Sequence, residues 1–227
     1  TKADSASNNI ICERLKVLTP DIPILSEENS DIPFNIRSSW EKYWLVDPLD
    51  GTKEFIKKNG EFTVNIALIE KNKSIFGLIH VPINNETYWG LENKGSYLID
   101  KNSNEMKISV SDNFDNPIKI VASRSHPSIE LSNCLEKIKD YELITVGSSL
   151  KFCLIAKGDA DCYPRLGTTS AWDIAAGEAI LKFAGGSVLE INGKTIKYNK
   201  RESYKNNYFI ASKNEKINIE IIKKINE

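Results

Sequence analysis

Trp44-Leu-Val-Asp-Pro-Leu-Asp-Gly-Thr-Lys-Glu-Phe55 is the stretch whose reading decides the fold. A short apolar run ends in Asp47-Pro48-Leu49-Asp50, and Gly51-Thr52 follows at once. Proline fixes its own φ and keeps the preceding residue extended. Asp47 and Asp50 therefore stand in a defined relation, and the Leu49 carbonyl is left as a further hard oxygen donor. Two carboxylates about 4 Å apart repel by roughly 4 kcal/mol at an effective dielectric of about 20. A divalent cation turns that repulsion into attraction; without one, a carboxylate holds a proton instead. Hard ions such as Mg²⁺ take oxygen ligands and serve phosphate chemistry. Gly51 permits a tight bend, and a helix starting just after it would present N–H groups to a phosphate. Taken alone, Asp-Pro and Asp-Gly are also ordinary turn formers.

Two further acidic segments support the metal reading. Glu27-Glu28 closes a short strand expected over Ile22–Leu25, and Tyr43–Val46 is a second strand ending at Asp47. Adjacent parallel ends would bring Glu27 and Asp47 together. Far downstream, Trp172-Asp173 opens an alanine-rich helical pattern. By itself Asp173 reads as a helix N-cap. Ser149, Lys151 and Arg165 read alone as solvated surface, and His126 as part of a helix-entry turn.

Composition narrows the class. Of 227 residues, 41% are hydrophobic and 27% charged, ordinary for a globular chain with a sizeable core. Lys+Arg total 30 against 31 Asp+Glu, so the formal net charge of −1 offers no footprint for long nucleic acid. Cys12, Cys134, Cys153 and Cys162 show no C-x-x-C spacing and form no zinc pattern with His80 and His126. They read as buried free thiols in a reducing cytoplasm. The longest apolar candidate, Ile174 to Phe183, is interrupted by Glu178 and Lys182, well short of the ~18 residues of a membrane span. A cytoplasmic protein is expected, with loose association at the inner membrane face left open. The sequence starts at Thr1 rather than Met, so a leading segment, a signal peptide included, also stays open, and oligomeric state is not legible.

Periodicity sketches two halves, residues 1–115 and 116–227. Ile10, Ile11, Leu15 and Leu18 have helix spacing over residues 4–18. Asp31–Ser39 reads as a loop. Phe62, Val64, Ile66 and Leu68 alternate against Thr63 and Asn65, as in a half-buried strand. Ile75–Val81, Thr87–Gly90 and Tyr97–Ile99 continue a meander. Beyond Pro117, strands at Ile118–Ala122, Leu143–Val146 and Ala160–Tyr163 alternate with helices at Ser128–Lys139, Leu150–Ala156 and Asp173–Phe183. Ser187–Ile191 and Thr195–Tyr198 flank Asn192-Gly193 and read as a hairpin. Tyr208–Ala211 and Glu215–Ile225 form a last strand and helix. The result is an α/β (α+β) chain: an N-terminal α+β half with the metal-binding carboxylates, and a C-terminal α/β half that completes the site.

These residues carry a resemblance. Asp47-Pro-Leu-Asp-Gly-Thr52 with Trp172-Asp-Ile-Ala-Ala-Gly177 resembles the two signatures of the lithium-sensitive, Mg²⁺-dependent phosphatases of the inositol monophosphatase superfamily. Tyr43 to Lys57, Asn59-Gly-Glu-Phe-Thr-Val-Asn-Ile-Ala-Leu68, Gly147-Ser-Ser-Leu-Lys-Phe-Cys-Leu154 and Tyr163-Pro-Arg-Leu-Gly167 are closest to its CysQ-type 3'(2'),5'-bisphosphate nucleotidase branch. Thr168 and Ala171 depart from that branch, which often has proline and a larger residue there. The resemblance covers nearly the whole chain and implies a layered αβαβα sugar-phosphatase fold, with an antiparallel N-terminal sheet and a mixed C-terminal sheet.

The same resemblance implies roles. Glu27, Asp47, Asp50, Asp173 and the Leu49 carbonyl match the ligands of two or three Mg²⁺ ions, which Mn²⁺ can replace. Asp4 and Thr52 match the pair that, with Glu27, positions or activates the attacking water. Gly51, Thr52, His126, Ser148, Lys151, Arg165 and Asp173 match substrate contacts. The implied activity is removal of the 3'-phosphate of adenosine 3',5'-bisphosphate, and of phosphoadenylyl sulfate, by a metal-activated water, with lithium sensitivity and a place in sulfur assimilation. The alternatives are inositol monophosphatase or fructose-1,6-bisphosphatase activity on the same fold, or a non-catalytic cation or nucleotide sensor.

Overall fold

The computed structural model describes residues 1–112, 117–125, 128–138 and 140–226. The expected division at 115/116 and the His126 contact fall outside the described residues.

The N-terminal part is a helix laid on a meander. Helix α1 (Lys2–Leu18) precedes β1 (Ile24–Ser26), the short α2 (Phe34–Arg37), β2 (Lys42–Asp50) and α3 (Thr52–Lys57). Strands β3 (Thr63–Glu70), β4 (Lys73–Val81), β5 (Glu86–Leu91), β6 (Gly95–Ile99) and β7 (Glu105–Ile108) follow. The seven strands pair in chain order. Only the β1–β2 pair is parallel, so this sheet is mixed rather than purely antiparallel.

The C-terminal part alternates β8 (Ile118–Ser123), α4 (Ile129–Glu136), β9 (Tyr141–Val146), α5 (Leu150–Ala156), β10 (Cys162–Arg165) and α6 (Ala171–Phe183). It closes with β11 (Ser187–Glu190), β12 (Phe209–Ser212) and α7 (Glu215–Asn226). Its sheet has the order β11-β12-β10-β8-β9, parallel across β10-β8-β9 and antiparallel at β12. α1 packs on β2, α5 and α6 lie between the sheets, and α4 with α7 covers the far side of the second sheet, which gives the αβαβα layering.

Close backbone approach lets α6 lie flat on the first sheet. A Cβ on Gly77 would stand 2.2 Å from the Ala176 carbonyl oxygen, so no side chain fits between β4 and the helix. Ser74 Oγ donates to the Ala175 carbonyl at 2.8 Å and Ser96 Oγ to the Ile180 carbonyl at 2.6 Å. These bonds fix the rotation of α6 and thereby aim Asp173 at its start.

Several expectations are corrected. Residues 34–37 form a helical turn, not loop, because Arg37 is buried there and bonds to Asn199 and to the Arg201 and Glu202 carbonyls. β2 runs through Asp47-Pro48 to Asp50, with a register shift that absorbs the proline. The buried face of β3 is Thr63, Asn65, Ala67 and Ile69, the reverse of the apolar face expected from alternation. In α1, Asp4, Asn8 and Leu15 are buried while Ile10 and Leu18 are largely exposed. The polar groups buried by both inversions are paired: Ser26 Oγ donates to Asn8 Oδ1 at 2.7 Å and Thr63 Oγ1 to Asn65 Oδ1 at 3.1 Å. β11 pairs with β12 rather than with residues 195–198, whose Tyr198 N–H reaches the Asn72 carbonyl at 3.1 Å. β7, an edge strand with only Ile108 buried, has no alternation to read. Cys134, Cys153 and Cys162 are buried free thiols and Cys12 is half-buried. Among the described residues no helix is long and apolar enough to cross a membrane.

Candidate active site

The parallel β1–β2 pair sets Ser26 opposite Val46, and the Glu27 N–H donates to the Val46 carbonyl at 3.1 Å. Glu27, just beyond β1, and Asp47, within β2, thus stand on neighbouring parallel strands. Asp47 is buried, with its Oδ1 accepting the Leu49 N–H at 3.0 Å. Beyond the register shift, Asp50 Oδ2 accepts from Asn65 Nδ2 at 3.4 Å. α1 is tied to the same turn, since Ser7 Oγ donates to the Pro48 carbonyl at 2.8 Å. One turn earlier in α1, Asp4 Oδ1 accepts from Thr52 Oγ1 at 3.4 Å. Gly51 adopts φ +89 and caps α3, so the tight bend read from the sequence is present.

Asp173 is the third residue of α6, not its N-cap. Ser170 is the cap, and its N–H donates to Asp173 Oδ2 at 2.9 Å. That bond aims the carboxylate back toward the loop.

Burial and mutual repulsion dominate the electrostatics of this cluster. Burial pushes Asp47 well above the usual carboxylate range, and Asp50, Glu27 and Asp173 add to the shift. Burial raises Asp50 as well, against the pull of Lys151 and the Asn65 bond. Asp173 is pushed up to about 7 by burial and then by Asp50. Glu27, though exposed by surface area, is raised by desolvation and by Asp50, Glu28 and Asp4. Among the described residues no three acidic, histidine or cysteine side chains are gathered into a ready coordination shell. The donor set is nonetheless all hard oxygen and mutually repelled, the chemistry that fits a divalent ion such as Mg²⁺.

This has a consequence for stability. Asp173 and Glu178 are both raised to about 7, Glu178 chiefly by burial, against their ordinary carboxylate values of 3.8 and 4.5. A carboxyl whose folded value is raised lets the native state bind more protons than the unfolded chain, so stability falls as pH rises. Glu61 and Asp100 shift the opposite way and act only below their ordinary range of 4.5 and 3.8. In chelator, the melting temperature is therefore expected to fall between about pH 5 and pH 7.5. Differential scanning fluorimetry with and without Mg²⁺ checks this, with the ion flattening the slope.

A cavity of about 200 Å³ joins Asp50, Gly51 and Asp173 to Ser148, Lys151 and Arg165. Lys151 is buried, and burial draws its amine down to about 8 despite the pull of Asp50. Its Nζ donates to the Val146 carbonyl at 3.3 Å and to the Ser148 carbonyl, and lies 5.3 Å from the Tyr163 ring centroid. Arg165 donates to the Thr168 carbonyl at 2.9 Å. Ser148 Oγ and Arg165 Nε are buried without a hydrogen-bond partner among the described residues. Buried polar atoms are normally paired, so two orphans on one cavity wall suit a polar ligand.

Asp50, Gly51, Ser148, Lys151, Arg165 and Asp173 all line this cavity, while Asp4, Glu27, Asp47, Leu49 and Thr52 do not. The sequence reading missed Glu54, which lines the cavity, and Thr63 and Asn65; Ser149, read alone as solvated surface, is buried in one network with the latter two. In that network Ser149 Oγ lies 2.8 Å from Thr63 Oγ1 and donates to Asn65 Oδ1 at 2.7 Å. The available signal was the polar pair Thr63 and Asn65 inside an otherwise apolar strand.

The family model described as the inositol monophosphatase family matches residues 1–227. The chain is 48% identical over 206 residues to 3'(2'),5'-bisphosphate nucleotidase CysQ of Salmonella typhimurium, covering 91% of this chain and 82% of that protein. Against the protein of the same name from Buchnera aphidicola the identity is 49% over 214 residues, covering 93% and 79%. The crystal structure of CysQ from Bacteroides thetaiotaomicron, described as a bacterial member of the inositol monophosphatase family, is 38% identical with a TM-score of 0.80, covering 88% of this chain and 80% of that one. With the family match running from end to end and relatives near half identical across nine-tenths of its length, this chain belongs to the inositol monophosphatase family.

Proposed function

We propose that this protein is a Mg²⁺-dependent 3'(2'),5'-bisphosphate nucleotidase that hydrolyses the 3'-phosphate of adenosine 3',5'-bisphosphate to AMP and inorganic phosphate. Phosphoadenylyl sulfate is the second substrate expected. The observation that carries the reading is one cavity joining Asp50 and Asp173 to the buried cations Lys151 and Arg165. A substrate with two phosphates needs both an acidic, ion-holding wall and a separate cationic one. A neutral inositol ring needs only the first.

Glu27, Asp47, Asp50, Asp173 and the Leu49 carbonyl would hold the ions. When bound, the ions supply positive charge against the charge developing on the transferred phosphate. Asp4 and Thr52 position the attacking water: the Thr52 hydroxyl, donating to Asp4, keeps a lone pair for one water proton, and the Asp4 carboxylate is the acceptor for another. Backbone N–H groups at Gly51 and Thr52 face non-bridging phosphate oxygens. Lys151, Arg165, Ser148 and His126 serve the nucleotide's other phosphate and its adenosine. Residues 1–115 thus supply most of the ion-holding groups, and 116–227 complete the pocket. Two or three ions, replacement by Mn²⁺, lithium inhibition, a place in sulfur assimilation and a cytoplasmic location, with or without loose attachment to the inner membrane face, belong to the same reading.

The test is phosphate release across a panel of adenosine 3',5'-bisphosphate, inositol monophosphate and fructose 1,6-bisphosphate, with and without Mg²⁺. The expected result is preference for the adenosine bisphosphate and no turnover in chelator. Preference for inositol monophosphate would move the chain to another branch of the family. Tight Mg²⁺-dependent nucleotide binding without phosphate release from any ester would make it a sensor.

A further inference from the structure

Glu61 and Arg124 belong to neither wall of the cavity, yet they join the two sides of the molecule beside it. We infer that they form a strut that positions the Lys151 amine, acting through residues 145–148, the end of β9 and the turn that follows it. The inference rests on the nucleotidase reading above.

The contacts form a closed set. Arg124 Nε donates to Glu61 Oε2 and Arg124 Nη2 to Oε1, both at 2.8 Å, a two-pronged pair with fixed direction. Glu61 Oε2 also accepts the Gly147 N–H at 2.8 Å, and Arg124 Nη2 donates to the Thr145 carbonyl at 2.6 Å. The Val146 carbonyl at the end of β9 and the Ser148 carbonyl in the turn after it accept from Lys151. Thus the strut holds Thr145 and Gly147, and the residues between and after them hold the amine.

Steric fit fixes the spacing. A Cβ on Gly147 would stand 2.7 Å from the Glu61 carbonyl oxygen and from Glu54 Cγ. A Cβ on Gly51, at the expected phosphate turn, would stand 3.2 Å from that same carbonyl oxygen and 3.3 Å from Ser148 Cβ. The Glu61 backbone is therefore wedged between the phosphate turn and Gly147. Ser125, next to Arg124, adds a second tie by donating to the Glu54 carboxylate. Ser148 sits at φ +46, in the sparsely populated left-handed region.

The strut contributes geometry rather than stability. Arg124 is 48% exposed and Glu61 21%, and exposed pairs add little to folding. Losing it should leave the fold intact and let the Val146–Ser148 carbonyls that hold the Lys151 amine shift, so that the amine, carried on α5, is less well aimed at the cavity.

Arg124→Lys keeps the charge and loses the fork; Glu61→Gln keeps an acceptor for Gly147 and loses the charge. Each single variant is expected to raise KM for adenosine 3',5'-bisphosphate about tenfold, with kcat changed by less than about twofold. KM for inositol monophosphate, which lacks a second anion, should move by less than about twofold. The double variant should be no worse than either single, because both break one strut. Calorimetric binding of the adenosine bisphosphate in chelator should weaken by the same factor. Unchanged affinity, additive losses, or equal losses on both substrates would overturn the inference. If the wild type binds the nucleotide without releasing phosphate, the nucleotidase reading fails and the calorimetry still decides the strut. If it does not bind at all even with Mg²⁺ present, both fail.

Discussion

Asp47→Asn is expected to abolish turnover, lowering kcat by about 10³-fold or more while the fold is retained. The side chain is 1% exposed and isosteric with its replacement, and an asparagine Oδ1 can still accept the Leu49 N–H. The substitution therefore removes charge without removing packing. That charge stands within reach of Glu27, Asp50 and Asp173. In chelator its loss should raise the melting temperature by a few degrees, since a repelled carboxylate leaves the cluster. In Mg²⁺ the gain should shrink or reverse, because the wild type then gains ligand stabilisation that the variant lacks. Steady-state kinetics and paired melting curves test both halves. Near-normal turnover, or a variant destabilised in chelator, would remove Asp47 from the reacting centre.

Lys151→Ala is the second large effect. KM for adenosine 3',5'-bisphosphate should rise by about 10- to 100-fold, as expected for loss of a charge-assisted contact in a buried site. Asp50 complicates this, because the Lys151 charge also holds the Asp50 carboxyl down. That part of the loss falls on every phosphate ester alike, so inositol monophosphate serves as the internal control. Only the excess loss on the bisphosphate reports anion recognition. The amine, drawn down to about 8 by burial, gives an independent signature. Affinity of the wild type for the bisphosphate should fall as pH rises through that value, and the variant should lose that dependence. An equal effect on both substrates, with an unchanged pH profile, would mean that Lys151 acts through Asp50 alone.

Legibility differed sharply between kinds of residue. Asp47, Leu49, Asp50, Gly51 and Thr52 could be read because proline and glycine constrain the backbone locally, and the constraint travels with the five residues. Helices such as α5 and the core of α6 were legible from apolar spacing. Thr63 and Asn65 were read onto the wrong face, because alternation reports which residues are apolar and not which face a site occupies. Ile10 and Leu18 misled in the same way, while Asp4 and Asn8 took the buried face of α1. Ser170 was missed as the α6 cap because Asp173, three residues on, is an equally good capping residue in isolation. Glu61 and Arg124 carried no signal: a charged pair 63 residues apart has no period.

The chain's residues alone determined the acidic motif, the glycine bend beside it and the kinds of element that carry them, because each rests on the conformational limits of a few adjacent residues. Tertiary structure decided that Glu27 stands beside Asp47 across a parallel pair, that α6 lies flat enough on Gly77 to aim Asp173, and that the end of β9 and the turn after it hold the Lys151 amine at the cavity. These depend on contacts between distant segments, whose geometry is set by packing and by burial of charge rather than by any preference of the residues themselves.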